Sequence, residues 1–145
     1  MKKTKDSASD ISSDIEKISN QSIFPPLHLG IDIDGCVDEA TDFFRNITHN
    51  WPSKVFVISF RDDVAKAEAF LAKYGIRYHK LILVNSFAEK AKVIAENGIG
   101  VYFDDQPEVL KHIPENVAVM LVRNGGNYDF ELKKWLFSKE TGKLL

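Results

Sequence analysis

Asp32 and Asp34 stand one residue apart at the end of an apolar run, LHLGIDIDG, with Gly35 directly behind them. Alternate residues of a strand point to the same side, so a strand here delivers both carboxylates together and the chain turns at the glycine. Two carboxylates at one edge repel each other unless a cation or a shared proton relieves them. The pair is therefore a metal site, an acid/base site, or both. Further on, Ser59 and then Arg61 follow a second apolar run, Lys90 opens a helical segment, and Asp104-Asp105 end another apolar run. Gathered in one place, these groups offer hard oxygens to a cation, and Ser, Lys and backbone N–H groups to an anion. That is the chemistry of a magnesium site beside a phosphate site.

Alternating strands and helices would do the gathering. LHLGIDI (27–33) reads as a strand, and 39–48 carries Ala40, Phe43, Phe44 and Ile47 at helical spacing. KVFVISF (54–60) is a continuous apolar run of the kind buried on both faces of a parallel sheet. The segment 62–75 opens on acidic residues, carries an apolar stripe and closes on Gly75, which are the start and stop signals of a helix. A third strand is expected at 80–85, a helix at 87–97 closed by Gly98, and a fourth strand at 100–105. A short helix at 107–113 begins on proline, and a fifth strand spans 117–122. A last amphipathic helix is expected to hold Phe130, Leu132, Trp135 and Leu136. The expected fold is α/β: a three-layer sandwich on a five-stranded parallel Rossmann-like sheet, with right-handed crossovers. In such a sheet the strands' carboxyl ends share one edge, where ligands bind.

Composition narrows the classes. The 145 residues suffice for one domain with a real core. Residues 1–22 are polar, and a mobile tail is favoured over a short docking helix built on Ile11, Ile15 and Ile18. Residues 23–145 form the single folded domain, punctuated at its start by Pro25-Pro26. A net charge of −2 and a pI near 6.1 give no reason to expect nucleic acid as the main partner. One cysteine, Cys36, excludes an internal disulfide framework. No apolar stretch reaches membrane-spanning length, and the basic start lacks the apolar run of a secretory signal, so the expected location is cytoplasmic.

Each motif alone has an ordinary explanation. DxDG is commonly a turn, Asp104-Asp105 a helix cap before Pro107, Ser59 a small strand-end residue, and Lys90 a solvated charge for which Lys92 is an alternative. An EF-hand register places Gly30 and Thr41 where acidic ligands are required, which rejects calcium. A two-component receiver domain would carry its phosphorylated aspartate on the third strand, which here ends in Val84-Asn85-Ser86. Arg61 either guides a phosphate or pairs with Asp62-Asp63. The loop RNGGNYD follows the fifth strand at the same edge, which makes Arg123 and Asn127 candidate substrate contacts. The four histidines form no metal-ligand spacing.

Taken together and in order, DxDG at Asp32–Gly35, a strand ending at Ser59, Lys90, and a strand ending at Asp104-Asp105 resemble the four-motif signature of the haloacid dehalogenase-like superfamily. The resemblance runs from about Leu27 to Val122. Within it, SFRDD and EKAKVIAENGIGVYFDDQPEVL look most like the phosphatases related to the 5′(3′)-deoxyribonucleotidases. The resemblance implies a magnesium-dependent phosphatase acting on a phosphomonoester, small or macromolecular. Asp32 would be the nucleophile that becomes an aspartyl-phosphate, and Asp34 the general acid and then base. Ser59 would bond the phosphoryl oxygens, and Lys90 would neutralise charge. Magnesium would be held by Asp32, the Asp34 carbonyl and the Asp104-Asp105 pair; one of that pair should dominate, with Asp105 favoured by the family's Gly-Asp form. An aspartate at position 34 also separates phosphatases from the dehalogenases and phosphonatases of the superfamily, which lack a carboxylate there.

The superfamily's cap domains have no room here, because 35–58 and 91–103 are too short to hold one. The site should then be open to water unless the tail, a loop or a second subunit of a homo-oligomer covers it. The missing cap motivates the alternative reading, a binding or regulatory module that keeps the fold and metal site with little turnover.

Overall fold

The computed structural model describes residues 26–136; the expected tail at 1–22 lies outside them. Five strands form one all-parallel sheet in the order β3-β2-β1-β4-β5: β1 is His28–Ile31, β2 Val55–Ser59, β3 Lys80–Leu83, β4 Ile99–Asp104 and β5 Ala118–Leu121. Between them lie α1 (Thr41–Asn50), α2 (Val64–Lys73), α3 (Phe87–Glu96) and a 3₁₀ turn at Pro107–Lys111. This is the expected Rossmann-like α/β sandwich. No helix among the described residues is long and apolar enough to cross a membrane.

The continuous apolar runs are explained by a sheet that packs on both faces. β2 is buried throughout, and its residues alternate: Val55 and Val57 join Leu29, Ile31, Phe44 and Leu71 in one cluster, while Phe56 and Ile58 join Ala91, Ile94, Ile99 and Tyr102 in the other. Gly30 in β1 has no side chain because a Cβ there would fall 2.7 Å from the Tyr102 ring. The helices start where their caps dictate. Asp63 accepts the Lys66 amide ahead of α2, and Ser86 accepts the Glu89 amide ahead of α3. Gly75 and Gly98 follow those two helices at φ +66° and +61°, the left-handed turn that ends a helix most cheaply at glycine.

The order of strands decides where the chemistry falls. Successive connections run outward from β1 on one side through β2 and β3, and on the other through β4 and β5, so the topological switch lies between β1 and β4. A crevice opens at the carboxyl ends of such a pair. Ile31 is in register with Phe103, and the Asp32 amide still donates to the Phe103 carbonyl at 3.0 Å. Asp32 therefore leaves β1 opposite Asp104 at the end of β4.

Two expectations are corrected. The first strand stops at Ile31, not 33, and Ile33–Val37 coils into a tight turn. The expected C-terminal helix is replaced by an antiparallel hairpin, β6 (Tyr128–Asp129) with β7 (Lys134–Trp135). Asp129 Oδ1 accepts the amides of Glu131 and Leu132 at 3.0 and 2.8 Å, which is how a helix would begin. The chain instead turns left-handed at Lys133, φ +51°, and reverses. Phe130 and Leu132, the residues of the apparent apolar stripe, point outward and stay exposed. With no core surface to dock against, a helical stripe has nothing to stabilise it.

Candidate metal centre

Asp32 and Asp34 do not share a face. Asp32 is buried at the end of β1, where Oδ1 accepts the Ile33 amide at 2.7 Å. Asp34 sits in the turn with φ −78°, ψ 123°, and Gly35 follows with φ 80°, ψ −2°. These are the central angles of a type II turn, whose third residue needs the positive φ that glycine tolerates. The turn, and not strand alternation, aims Asp34. Its carboxylate is a third exposed and meets the fork of Arg61, with Nε at 3.1 and 3.2 Å and Nη2 at 2.8 Å. Arg61 also lies 4.5 Å over the Phe70 ring. Its partner is thus Asp34 and neither Asp62 nor Asp63; the latter caps α2.

Lys90, in the first turn of α3, is fully buried and reaches both strand ends. Its Nζ donates to Asp32 Oδ2 at 3.0 Å and to Asp104 Oδ2 at 2.9 Å. The ammonium also lies 4.4 Å from the Phe60 ring centre and 5.8 Å from that of Tyr102, two aromatic faces that favour a cation. Burial alone pushes a lysine toward neutrality, but Asp32 and Asp104 reverse the sign and hold the amine above its ordinary pKa. Lys92 points outward to Glu96.

Asp104 Oδ1 accepts the Gln106 amide at 2.8 Å. Asp105 lies one residue beyond the last ladder position of β4, so strand alternation no longer forces it away from its neighbour. Both aspartates turn toward Asp32: the three offer ligand oxygens that all lie within 4.8 Å of one another. Their oxygens differ in partners: both of Asp104's are hydrogen-bonded, to Lys90 and to the Gln106 amide, whereas Asp105 Oδ1 has none. Asp34's side chain is outside this triad.

The triad is short of positive charge. When all three carboxyls are ionised they carry two more negative charges than the Lys90 ammonium can balance, which is the charge of a divalent cation. Burial raises the Asp32 carboxyl to about 7, against the pull of Lys90, and Asp104 adds to the rise. Burial, with Asp32 and Asp104 nearby, raises Asp105 to about 8. Asp105 Oδ1 is buried with no hydrogen-bond partner, a state that ordinarily costs about 1–3 kcal/mol. An all-oxygen donor set of this kind fits a hard cation, and the orphaned oxygen is where a ligand bond is lacking.

Other candidates fall around this centre. Ser59 is buried at the end of β2, and its Oγ accepts the Arg61 amide at 3.3 Å. Cys36 is buried and its thiol is pushed up by burial and the nearby carboxylates, so it packs as a neutral group. Arg123 and Asn127, expected to contact substrate, bond main chain instead. Arg123 Nη1 donates to the Asp105 carbonyl, and its guanidinium lies 4.9 Å from the Tyr128 ring centre. Asn127 is buried, donating to Gly35 O at 2.6 Å and Val122 O at 3.0 Å. Asn127 ties the loop after β5 to the turn that carries Asp34, and Arg123 ties it to the main chain at Asp105, just past β4. The expectation of an open site also needs amendment, because the β6–β7 hairpin reaches the triad: the Trp135 indole N–H donates to Asp105 Oδ2. Nothing in the sequence marked Trp135, whose apolar spacing read as part of a helix stripe. No family model, curated protein or solved structure matches the chain.

Proposed function

We propose that this chain is a magnesium-dependent phosphohydrolase of the haloacid dehalogenase-like kind, cleaving a phosphomonoester through an aspartyl-phosphate on Asp32. The observation that carries the reading is the convergence of the Asp32, Asp104 and Asp105 carboxylates at the β1/β4 switch point, with the Lys90 ammonium bonded to the first two. Magnesium held by the three aspartates would counter charge on the phosphate and keep Asp32 ionised.

The chain's own groups then divide the work. An Asp32 oxygen attacks phosphorus, the bond to the leaving oxygen breaks, and Asp34 gives that oxygen its proton. Lys90 stabilises the charge that builds on the attacked phosphoryl group, and Ser59 donates to one of its oxygens. Water then attacks the phosphoryl group, Asp34 takes its proton, and Asp32 is released. Arg61 forks onto the Asp34 carboxylate, and because a guanidinium fork fits phosphate as well as carboxylate, an arriving phosphate would compete with Asp34 for it.

Magnesium-dependent release of phosphate from p-nitrophenyl phosphate, lost in Asp32→Asn, is the test. Activity that persists in that variant removes Asp32 from its role. A second reading, a metal-binding module with little turnover, is favoured by the bidentate hold of Arg61 on Asp34. It predicts magnesium binding without hydrolysis across a broad panel of phosphomonoesters.

A further inference from the structure

Asp105 is held from three sides, by the motif glycine Gly35 and by two residues outside the four motifs, Arg123 and Trp135. On one side lies Gly35: a Cβ there would land on the Asp105 carboxylate, so the turn leaves space that the carboxylate occupies. On the second, Arg123 donates to its carbonyl. On the third, the Trp135 indole donates to Oδ2, while Oδ1 remains buried and unpartnered. The indole belongs to β7, which the hairpin register fixes through Tyr128↔Trp135 and the Leu136 amide to the Asn127 carbonyl at 2.9 Å. Asp105 has no strand ladder beyond β4 to orient it, so Arg123 holds its main chain while the space at Gly35 and the indole donor orient its carboxylate.

We propose that Trp135 is a positioning residue for the metal triad, its indole N–H engaging Oδ2 of Asp105 so that Oδ1 is the oxygen offered to the cation shared with Asp32 and Asp104. The inference rests on the metal reading above and adds to it that the C-terminal hairpin is part of the metal site. A hydrogen bond to the second oxygen of a ligating carboxylate fixes the direction of the first, and losing such partners typically weakens metal binding by about 10–100-fold. The hairpin thereby takes up a supporting role at a site that no inserted domain covers among the described residues.

The chain has two tryptophans, which supply a measurement and its internal control. Trp51 donates its indole to the Leu27 carbonyl at 2.7 Å, at the opposite end of β1. In the wild-type chain labelled with ¹⁵N, the Trp135 indole signal is expected to move on titration with magnesium chloride while the Trp51 signal stays in place. Trp135→Phe keeps an aromatic ring in the hairpin and removes the indole donor. Its magnesium affinity by calorimetry should fall at least tenfold, whereas Leu132→Ala, at an exposed hairpin position, should bind as wild type. A stationary Trp135 signal in a chain that binds magnesium overturns the inference and leaves the triad standing, as does wild-type affinity in Trp135→Phe. Absence of magnesium binding in the wild-type chain overturns both. The wild-type titration decides the matter even where the Phe variant does not fold.

Discussion

Replacing Lys90 by methionine tests the electrostatics of the centre without changing its volume greatly. The ammonium lies 2.9–3.0 Å from two carboxylates and is wholly buried, so solvent does not screen it. Removing one partner of a buried pair costs about 3–5 kcal/mol when the other stays ionised. At roughly 4 °C per kcal/mol for a domain of this size, the melting temperature at pH 8 without metal should fall by roughly 10–20 °C. The sign depends on pH. Lys90 is held above its ordinary pKa, so its contribution is present throughout the range below about 10. The carboxylates can instead escape by taking up protons, and Asp32 and Asp105 already do so near 7 and 8. The deficit should therefore shrink as pH falls from 8 toward 4, as Asp32 becomes neutral beside the wild-type ammonium. Thermal unfolding followed by circular dichroism in EDTA, across that range, is the assay. A deficit that does not change with pH, or a variant as stable as wild type at pH 8, refutes the charge argument.

Four more outcomes follow from the same geometry. Gly35→Ala should lose about 1–3 kcal/mol in denaturant unfolding and most of its magnesium affinity, because the new methyl group meets both a positive φ and the Asp105 carboxylate. Magnesium binding near pH 7 should release protons, since Asp32 and Asp105 hold them there, and should tighten from pH 6 to 8; calorimetry in buffers of different ionisation enthalpy reads both. By the same linkage the metal-free chain should lose stability as pH rises from about 4 to 8, because unfolded carboxyls ionise first. Asp34→Asn should keep wild-type magnesium affinity but lose far more activity on alkyl phosphates than on p-nitrophenyl phosphate, whose leaving group needs little protonation.

How much of this could be read from the residues depended on whether the cause was local. The central strands were legible because β1 and β2 are buried on both faces and only continuous apolar runs serve that, while the edge strands β3 and β5 kept apolar runs although they stay partly exposed. The helix starts at Asp63 and Ser86 and the stops at Gly75 and Gly98 were legible because caps are short-range chemistry. Lys90 was separable from Lys92 by its nearness to the sheet edge. The hairpin was not legible: Asp129 begins a helix-like cap, and the reversal at Lys133 depends on where the chain finds packing. Arg61 bonding Asp34 across 27 residues, and Trp135 bonding Asp105 across 30, are tertiary pairings with no sequence period. Asp105 escaped the alternation rule because β4 ends one residue before it. Motif spacing located the carboxylates, but only the turn at Gly35 determined that Asp34 would look outward and Asp32 inward.

The most direct measurement is chemical trapping of the intermediate. The chain is incubated with magnesium and a phosphomonoester, quenched in acid and reduced with borohydride, which converts an aspartyl-phosphate to homoserine at the residue that carried it. The account predicts homoserine at position 32 and nowhere else, dependent on magnesium. Turnover with no modification at 32, or with modification at another aspartate, contradicts it.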